Sequence, residues 1–289
     1  MGTLYLVATP IGNLEDMTLR ALRILKEVSL VAAEDTRSAR NLLSHFGIAK
    51  PITSYFEHSK LTKTQQILDA LEQGDVAVIS EAGMPGLSDP GYELVCAALD
   101  RDFRVVPIPG ANALTAALVA SGLPTDQFVY VGFLPRQKSA RRKLLQSIAA
   151  EPRTIVAYEA PHRIVESLDD IAETLGDRDI CVARELTKMY EEFIRGSVNE
   201  ARQHFAEHAP RGEFTIVLAG QTADPSTLLR ASVQPLTAEE SPWDDARVMQ
   251  TMRELMTEGL TRSQAAKRVA HESGRDRREV YQLSMTKGR

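Results

Sequence analysis

The sequence contains few cysteines and no long apolar run. Its two cysteines, Cys96 and Cys181, form neither a CxxC pair nor a metal-ligand spacing, which excludes a disulfide framework and a cysteine-rich metal site. No apolar stretch reaches the roughly 20 residues that a membrane-spanning helix needs. The first residues, MGTLYLVATP, have no basic region before the apolar ones, and Leu6 stands where a myristoylation signal needs serine or threonine. We therefore expect a cytoplasmic protein with no membrane partner.

Two common binding signatures are also missing. The chain has neither a GxGxxG fingerprint nor a P-loop, so the usual glycine-rich cradles for nucleotides are excluded. His204 and His208 are four residues apart on one predicted helix face, but no third ligand is evident nearby. No metal site is therefore predicted.

The formal net charge is −5, but the charge is unevenly distributed, and two segments are basic. Residues 259–289 contain eight basic and three acidic side chains. A shorter basic cluster contains no acidic residue and consists of Arg136, Lys138, Arg141, Arg142 and Lys143. Such patches bind polyanions whatever the total charge, but a solvated helix face produces the same pattern. Both interpretations are open from composition alone.

Short apolar runs alternate with amphipathic stretches through the first 220 residues, which predicts an α/β fold with a mostly parallel sheet in its first half. We expect two lobes, residues 1–122 and 123–220, that divide near Gly122-Leu123-Pro124. The ten predicted strands are Leu4–Ala8, Ser29–Ala33, Ile52–Tyr55, Val76–Ser80, Arg104–Ile108, Phe128–Phe133, Thr154–Tyr158, Ile180–Ala183, Glu192–Gly196 and Phe214–Ala219.

The last quarter of the chain has a different character. Residues 221–243 contain three prolines and no clear period, which predicts a linker. Residues 244–289 are predicted to form a small all-helical domain similar to a helix-turn-helix. Its three helical patterns are Asp244–Glu258, Ser263–Glu272 and Arg277–Met285. Arg275, Arg277 and Arg278 open the last of them, which favours nucleic-acid binding over a plain helical scaffold.

Three predicted strands each end in a proline- and glycine-rich turn. The clearest is SEAGMPGLSDPG after Val76–Ser80, where Ser88 or Asp89 is predicted to cap a helix with Pro90 at its first position. Comparable turns, TPIGN and PGAN, follow the first and fifth strands. Because ligands bind at the carboxyl ends of parallel strands, we expect the three turns to share one crevice.

Eight motifs in this order resemble those of the tetrapyrrole methylase superfamily, in its branch of bacterial small-subunit ribosomal RNA cytidine 2′-O-methyltransferases. The motifs are ATPIGNLEDMT, AAEDTRSARNLL, SEAGMPGLSDPG, IPGANALTAALVASGLP, GFLPR, AYEAPHRI, ARELTKMYEE and GEFTIVLAG. The resemblance implies a two-lobed fold with S-adenosylmethionine between the lobes and a homodimer. It also implies methyl transfer to the ribose 2′-hydroxyl of a cytidine in the decoding centre of 16S rRNA.

The cofactor contacts are assigned to backbone-rich turns, because carbonyl oxygens and loop dipoles suit a positive sulfur and glycine allows close approach. The assigned residues are Pro10, Ala82, Gly83, Met84, Asn112 and Ala113. The resemblance adds Tyr158, Glu159 and Ala219 as residues that close over the adenosine. The chain departs from the usual pattern at Glu81 and Met84.

The acceptor hydroxyl needs a proton acceptor, and the backbone phosphates need a cation. Glu34 or Asp35 is a candidate base and Arg37 a candidate phosphate ligand. The pattern alone favours a helix N-terminus capped by Asp35 or Thr36, with Arg37 on the surface, but the resemblance reverses that preference. Glu185 and Lys188 form either a base and a phosphate clamp or an ordinary ion pair. Two rival functions remain: a methylase of a corrin or porphyrin precursor, and a ligand-sensing DNA-binding regulator.

Overall fold

The computed structural model describes residues 2–55, 60–221, 245–257, 260–273, 279–280 and 283. The chain divides into two compact units, Met1–Thr222 and Ala223–Arg289. All ten predicted strands are present in the first unit, and no strand end differs from its predicted position by more than one residue. None of the helices within these ranges is long and apolar enough to cross a membrane.

The first sheet is entirely parallel, as predicted, and has the strand order β3-β2-β4-β1-β5. Its central strand β4 reads VAVI and is buried throughout, because helices cover both faces of the sheet. The strands are β1 (Thr3–Val7), β2 (Leu30–Ala33), β3 (Ile52–Ser54), β4 (Val76–Ile79) and β5 (Arg104–Ile108). The helices between them are α1 (Leu19–Glu27), α2 (Thr36–His45), α3 (Lys60–Gln73) and α4 (Tyr92–Leu99), with a short 3-10 helix at Leu14–Asp16.

The second sheet is mixed and has the strand order β6-β7-β10-β8-β9. Only β6 and β7 pair in parallel, and the other three pairs are antiparallel. The strands are β6 (Phe128–Phe133), β7 (Thr154–Glu159), β8 (Asp179–Arg184), β9 (Glu192–Ser197) and β10 (Phe214–Leu218). The helices are α5 (Ala113–Ala120), α6 (Lys138–Ser147), α7 (Ile164–Leu175) and α8 (Val198–Glu207).

Helix α5 packs on the second sheet, so the division between the lobes lies earlier in the chain than predicted. Its buried side chains Leu114, Ala117 and Leu118 share one apolar cluster with Val156 of β7 and Val217 of β10. The chain therefore crosses from one lobe to the other at residues 109–112, directly after β5. The predicted division at Gly122-Leu123-Pro124 is wrong by about one helix, because α5 is apolar on all sides and its sequence does not indicate which sheet it covers.

Helix α4 begins later than predicted. Its N-cap is Gly91, with φ 157°, and no side chain caps its first turn. Ser88 instead adopts a left-handed conformation with φ 63°, and its hydroxyl lies 2.6 Å from that of Tyr130. The prediction that Ser88 or Asp89 caps a helix starting at Pro90 is therefore wrong, because the helix begins after Gly91 and neither side chain caps it.

The second unit contains α9 (Asp245–Thr257) and α10 (Arg262–Ser273), close to the predicted bounds. They bury a small apolar core that includes Val248, Met252 and Val269. Thr261 precedes α10, and its backbone N–H and hydroxyl both donate to the Gln264 side chain, as in half of a capping box. The predicted linker beyond Gln221, and the predicted third helix apart from Glu279, Val280 and Leu283, lie outside the described residues.

Candidate active site

Three strand-end loops come together at the carboxyl edge of the first sheet: Ala8–Asn13 after β1, Ser80–Gly91 after β4 and Pro109–Asn112 after β5. Thr9 and Gly83 exchange two backbone hydrogen bonds, 2.9 and 3.1 Å long, which join the first two loops. A side chain at Gly110 would place its Cβ 2.9 Å from the Ala8 Cβ, so the third loop lies directly against the first. The expected convergence of the three loops is confirmed. The residues that these loops contribute include Pro10, Ala82, Gly83, Met84 and Asn112.

Gly83 occupies a backbone conformation that favours glycine. Its φ is 85°, and a Cβ there would lie 3.3 Å from the Ile11 side chain. The Ser80 hydroxyl donates to the Gly83 carbonyl at 3.1 Å. Position 83 is thus both conformationally restricted and packed between two loops.

The start of α5 connects this edge to the second lobe. Asn112 caps the helix by accepting a hydrogen bond from the Thr115 N–H at 3.2 Å. The hydroxyl of Tyr158, at the end of β7, accepts a hydrogen bond from the Leu114 N–H at 3.1 Å. The structure therefore brings Asn112, Ala113 and Tyr158 to the same place, as the sequence assignment requires.

A second link involves a residue that the sequence analysis did not identify. The hydroxyls of Ser88 and Tyr130 lie 2.6 Å apart and tie the loop after β4 to strand β6. The rings of Tyr130 and Tyr158 meet edge to face, with centroids 5.3 Å apart. No local sequence pattern distinguishes Tyr130 from the other apolar residues of β6, because its partner is 42 residues away.

The strand pairing in the second sheet determines where two predicted cofactor contacts, Ala219 and Glu159, lie. Strand β10 runs antiparallel to β7 and places Thr215 opposite Tyr158, so Ala219 lies at the other end of the sheet, beyond the Leu218–Ile155 pair. Ala219 therefore cannot close over the same group as Tyr158. Glu159 points to the face opposite Tyr158, where its carboxylate binds Ser167, the Ala160 N–H and Arg163. Its carboxylate is thus engaged away from Tyr158, and a cofactor contact of residue 159 stays a prediction.

Residues 184–188 lie against the first strand-end loop. A Cβ at Gly12 would be 2.4 Å from the Lys188 Cγ, so the two lobes touch here. The Lys188 Nζ lies 2.8 Å from Glu185 Oε1 and 3.1 Å from Glu213 Oε2. Glu185 and Thr187 both have positive φ, 49° and 66°, a rare conformation for residues with side chains.

The charges of this segment favour an ion pair over a base and a phosphate clamp. Burial raises the pKa of Glu185, but hydrogen bonds from Lys188 and the Glu213 N–H outweigh it and lower that pKa. Burial lowers the pKa of Lys188, but its two carboxylate partners outweigh that effect and raise it. Lys188 therefore stays protonated and Glu185 stays ionised at neutral pH, and neither is prepared to take up a proton.

Glu34, Asp35 and Arg37 follow β2, next to a cavity of about 190 Å³. Asp35 caps α2 by accepting a hydrogen bond from the Arg37 N–H at 2.7 Å, which lowers the pKa of its carboxyl. The Arg37 side chain is 87% exposed. Asp35 thus forms the helix cap that the sequence pattern predicts. Glu34, the residue before it, is half-buried. The cavity is lined by Thr9, Pro10, Gly12, Leu14, Ser38, Ala39, Leu42, Ile79, Ser80 and Glu81.

Asp89, in the loop after β4, has a perturbed pKa. It is half-buried, and burial raises its pKa to about 6; the Ser80 hydroxyl lowers this pKa, whereas the charge of Glu81 raises it further. The charge of Asp89 in turn raises the pKa values of Tyr130 and Tyr158, although burial is the main cause for both.

The basic cluster on α6 is only partly available to a partner. Arg141 is completely buried, and its Nε and Nη2 atoms lie 2.7 Å from Asp170 Oδ2 on α7. The Arg142 Nε also donates to Asp170, at 2.7 Å, and a second nitrogen binds Glu173. The prediction that Arg141 contacts RNA is therefore wrong, because its charge is neutralised in the core.

The other basic residues have mixed positions. Arg136, Lys138 and Lys143 are exposed, with Lys138 Nζ 3.9 Å from Asp170 Oδ1. Arg275, Arg277 and Arg278 lie outside the described residues. Within the ranges that are described, no three His, Cys, Asp or Glu side chains form a group that could hold a metal ion.

Comparison with known proteins defines the class of this fold and site. Residues 3–202 match the family model of Tetrapyrrole (Corrin/Porphyrin) Methylases, and residues 243–287 match that of the RsmI C-terminal HTH domain. Members of this methylase family use S-adenosylmethionine. The structure of a diphthine synthase is similar, with a TM-score of 0.60 and 12% identity over 76% of this chain and 90% of that one, which shows the fold alone.

Two relatives are both named ribosomal RNA small subunit methyltransferase I. That of Synechocystis sp. is 49% identical over 99% of this chain and 98% of its own length. That of Thermotoga maritima is 48% identical over 100% of its own length but only 76% of this chain. The chain therefore belongs to the tetrapyrrole methylases and, within them, to the ribosomal RNA small subunit methyltransferase I family.

Proposed function

We propose that this protein transfers the methyl group of S-adenosylmethionine to the ribose 2′-hydroxyl of a cytidine in 16S rRNA. The relatives' shared name supports the ribosomal RNA substrate, and the sequence resemblance supports the cytidine and the decoding centre. The observation that carries the proposal is the convergence of the three strand-end loops, joined by the Thr9–Gly83 hydrogen bonds. The loops present backbone groups at the edge where open α/β sheets bind ligands.

The strand-end loops are the proposed holder of the methyl donor. Pro10, Ala82, Gly83 and Met84 would surround it from the first sheet, and Asn112 and Ala113 from the start of α5. A sulfonium cofactor brings an activated methyl group, so the protein mainly has to align it with the incoming oxygen. Carbonyl oxygens and loop dipoles suit its positive charge, and Tyr158 provides an aromatic wall from the second lobe.

The cavity beside α2 is the proposed entrance for the acceptor ribose. It extends from Pro10 and Ser80 of the strand-end loops to Ser38 and Leu42 of α2. Arg37, in the first turn of that helix and next to the lining residue Ser38, is an exposed cation and would bind an RNA phosphate. Lys188, held between Glu185 and Glu213, would fix the lobes against each other rather than clamp a phosphate.

The C-terminal unit is proposed to bind RNA, and so are Arg136, Lys138 and Lys143 of the first unit. A quarter of this chain has no counterpart in the Thermotoga maritima relative, which is about the size of that unit. The methylase part is thus expected to bind its cofactor without residues 223–289. We also propose a homodimer, which the resemblance implies, and a cytoplasmic location, which the sequence predicts.

Transfer of radiolabel from S-adenosylmethionine tests the proposal. The substrates are small ribosomal subunits and free 16S rRNA, both from cells that lack this protein. We expect label in the rRNA that resists alkali at the modified linkage, because alkaline cleavage needs a free 2′-hydroxyl. Subunits from cells that contain the protein should stay unlabelled, since their 2′-hydroxyl is already methylated.

Other outcomes would identify the rival functions. Labelling of a corrin or porphyrin precursor, with none in rRNA, would indicate the small-molecule methylase. Capture of a specific DNA duplex without any methyl transfer would indicate the regulator.

A further inference from the structure

The end of strand β6 contains one extra residue relative to its neighbour β7. Tyr130 pairs with Val156 and Phe133 pairs with Tyr158, so three steps along β6 correspond to two along β7. Gly132, inside this β-bulge, has φ 71°, a conformation that favours glycine. Because paired residues of neighbouring strands point to the same face, the extra residue places Phe133 on the face of Tyr158. In a regular strand Phe133 would point to the opposite face.

The backbone is anchored on both sides of Phe133. A Cβ at Gly132 would lie 3.6 Å from the Ser88 hydroxyl oxygen, so the bulge packs against the loop after β4. On the other side, the Leu134 N–H donates to the Tyr158 carbonyl at 3.2 Å, and the Leu134 side chain is buried in the core of the second lobe. The position of the Phe133 ring is therefore set by a fixed backbone.

Phe133 is an open aromatic ring beside the proposed donor site. Its ring meets that of Tyr158 edge to face, with centroids 5.4 Å apart, and the Tyr158 hydroxyl accepts the hydrogen bond from Leu114 at the start of α5. Yet Phe133 is 54% exposed, although burial of so large an apolar side chain would be favourable. The bulge thus turns the ring away from the core and presents it next to Tyr158.

The segment that contains Phe133 is basic. Residues 127–150 include no acidic side chain, and Arg136, Lys138 and Lys143 are exposed. Exposed aromatic rings combined with cations are typical of surfaces that bind single-stranded RNA, where bases stack on the rings and the cations contact phosphates. The charge and the open ring together favour a nucleic-acid strand as the occupant of this surface.

We propose that an unpaired base of the acceptor RNA stacks on Phe133 and that this contact helps to position the target nucleotide. The inference rests on the proposed methyl transfer to rRNA. Stacking holds a base by its face and does not read its hydrogen-bonding edge, so Phe133 aligns the strand rather than selects cytosine. Alignment matters because the 2′-hydroxyl has to approach the donor methyl group in line.

Phe133→Leu and Phe133→Trp test the proposal. The first removes the aromatic face but keeps an apolar side chain against Tyr158, and the second provides a larger ring. The assay is steady-state methyl transfer to small ribosomal subunits from cells that lack this protein. We expect Phe133→Leu to lower kcat/KM for the subunits at least about fivefold, the lower end of the usual effect of losing one stacked base. Phe133→Trp should stay within about twofold of the unchanged protein.

Phe128→Leu is the matched control. Phe128 is 40% exposed and begins the same strand, where it pairs with Thr154 at the end far from Phe133. Its replacement should leave kcat/KM within about twofold of normal. All three variants should bind S-adenosylmethionine, measured by calorimetry, within about twofold of the unchanged protein. Their melting temperatures should lie within about 3 °C of normal, because both phenylalanines are exposed.

Other results would contradict this role of Phe133. An unchanged kcat/KM in Phe133→Leu would overturn the inference while leaving the methyl transfer intact, as would an equal loss in Phe133→Trp. Weaker binding of S-adenosylmethionine by Phe133→Leu would make the ring part of the donor site instead. A changed oligomeric state in light scattering would place it in a contact between copies of this chain and overturn the inference as well. If the unchanged protein transfers no methyl group to rRNA, the proposed function itself has failed.

Discussion

The hydroxyl groups of Ser88 and Tyr130, 2.6 Å apart, join the loop after β4 to the first strand of the second sheet. Ser88 holds a left-handed backbone conformation, φ 63°, that is uncommon for a residue with a side chain. The contact therefore fixes a strained loop at the point where the proposed donor site meets the second lobe. Its strength can be measured separately from catalysis.

A double-mutant cycle of Ser88→Ala and Tyr130→Phe measures that contact. Each single change should lower the free energy of unfolding of the α/β unit by about 1 kcal/mol, the usual value of one hydrogen bond. The double variant should lose little more than either single one, because the same bond is removed twice. Fully additive losses in chemical denaturation would show that the two hydroxyls do not interact.

Arg141 is expected to act on stability rather than on RNA. Arg141→Ala leaves the buried Asp170 carboxylate with one partner fewer, and should lower the free energy of unfolding by about 3–5 kcal/mol at pH 7. Lys143→Ala, on the exposed face of the same helix, should change it by less than about 0.5 kcal/mol. Thermal and denaturant unfolding of the two variants provide the comparison.

The pH dependence of the Arg141 effect follows from the pKa of Asp170. Burial raises that pKa, but the hydrogen bonds from Arg142 and Arg141 outweigh it and lower the pKa below its usual value. The paired carboxylate therefore stabilises the fold above about pH 4, and this stabilisation is lost as the pH falls through the lowered pKa. The penalty of Arg141→Ala should be smaller at about pH 3 than at pH 7. An equal penalty at both pH values would contradict the ion-pair explanation.

Arg37 is expected to bind an RNA phosphate, and Arg40 provides its matched control one turn further along α2. Both side chains are exposed and both adjoin a residue that lines the cavity, but only Arg37 lies in the first turn, next to the carboxyl end of β2. Arg37→Ala should weaken rRNA binding and reduce the slope of log affinity against log salt by roughly 0.7–0.9. Arg40→Ala should leave that slope within error of normal. Equal effects of the two substitutions would indicate a diffuse basic surface instead of a specific contact.

The strands were predictable because each is a short apolar run between glycine, proline or polar turn residues, a strictly local pattern. The convergence of the three loops followed from the parallel order of the first sheet. Ala219 was misplaced because strand direction is not local: β10 runs against β7, so its end lies far from Tyr158. Arg141 was misassigned because its partner Asp170 is 29 residues away on another helix.

Ser88 illustrates the remaining limit of local patterns. Serine, aspartate and proline before a helical stretch form a start signal, and nothing nearby indicates that the Ser88 hydroxyl contacts Tyr130, 42 residues away. The site thus depends on contacts between residues that are distant in sequence, which only the folded chain brings together.

Titration of S-adenosylmethionine into two glycine variants tests the donor site most directly. Gly83 and Gly47 both have positive φ, 85° and 65°, so alanine at either position strains the backbone by about 1 kcal/mol. A Cβ at Gly47 meets nothing within 4 Å, whereas one at Gly83 meets Ile11 and the Ala111 carbonyl between the strand-end loops. Comparing the two variants therefore distinguishes an effect of backbone strain on stability from an effect on cofactor binding.

By calorimetry, we expect the unchanged protein and Gly47→Ala to bind the cofactor with affinities within twofold of each other. Gly83→Ala should bind at least about tenfold more weakly, a difference of about 1.4 kcal/mol. If Gly83→Ala binds S-adenosylmethionine as tightly as Gly47→Ala does, the strand-end loops do not hold the methyl donor.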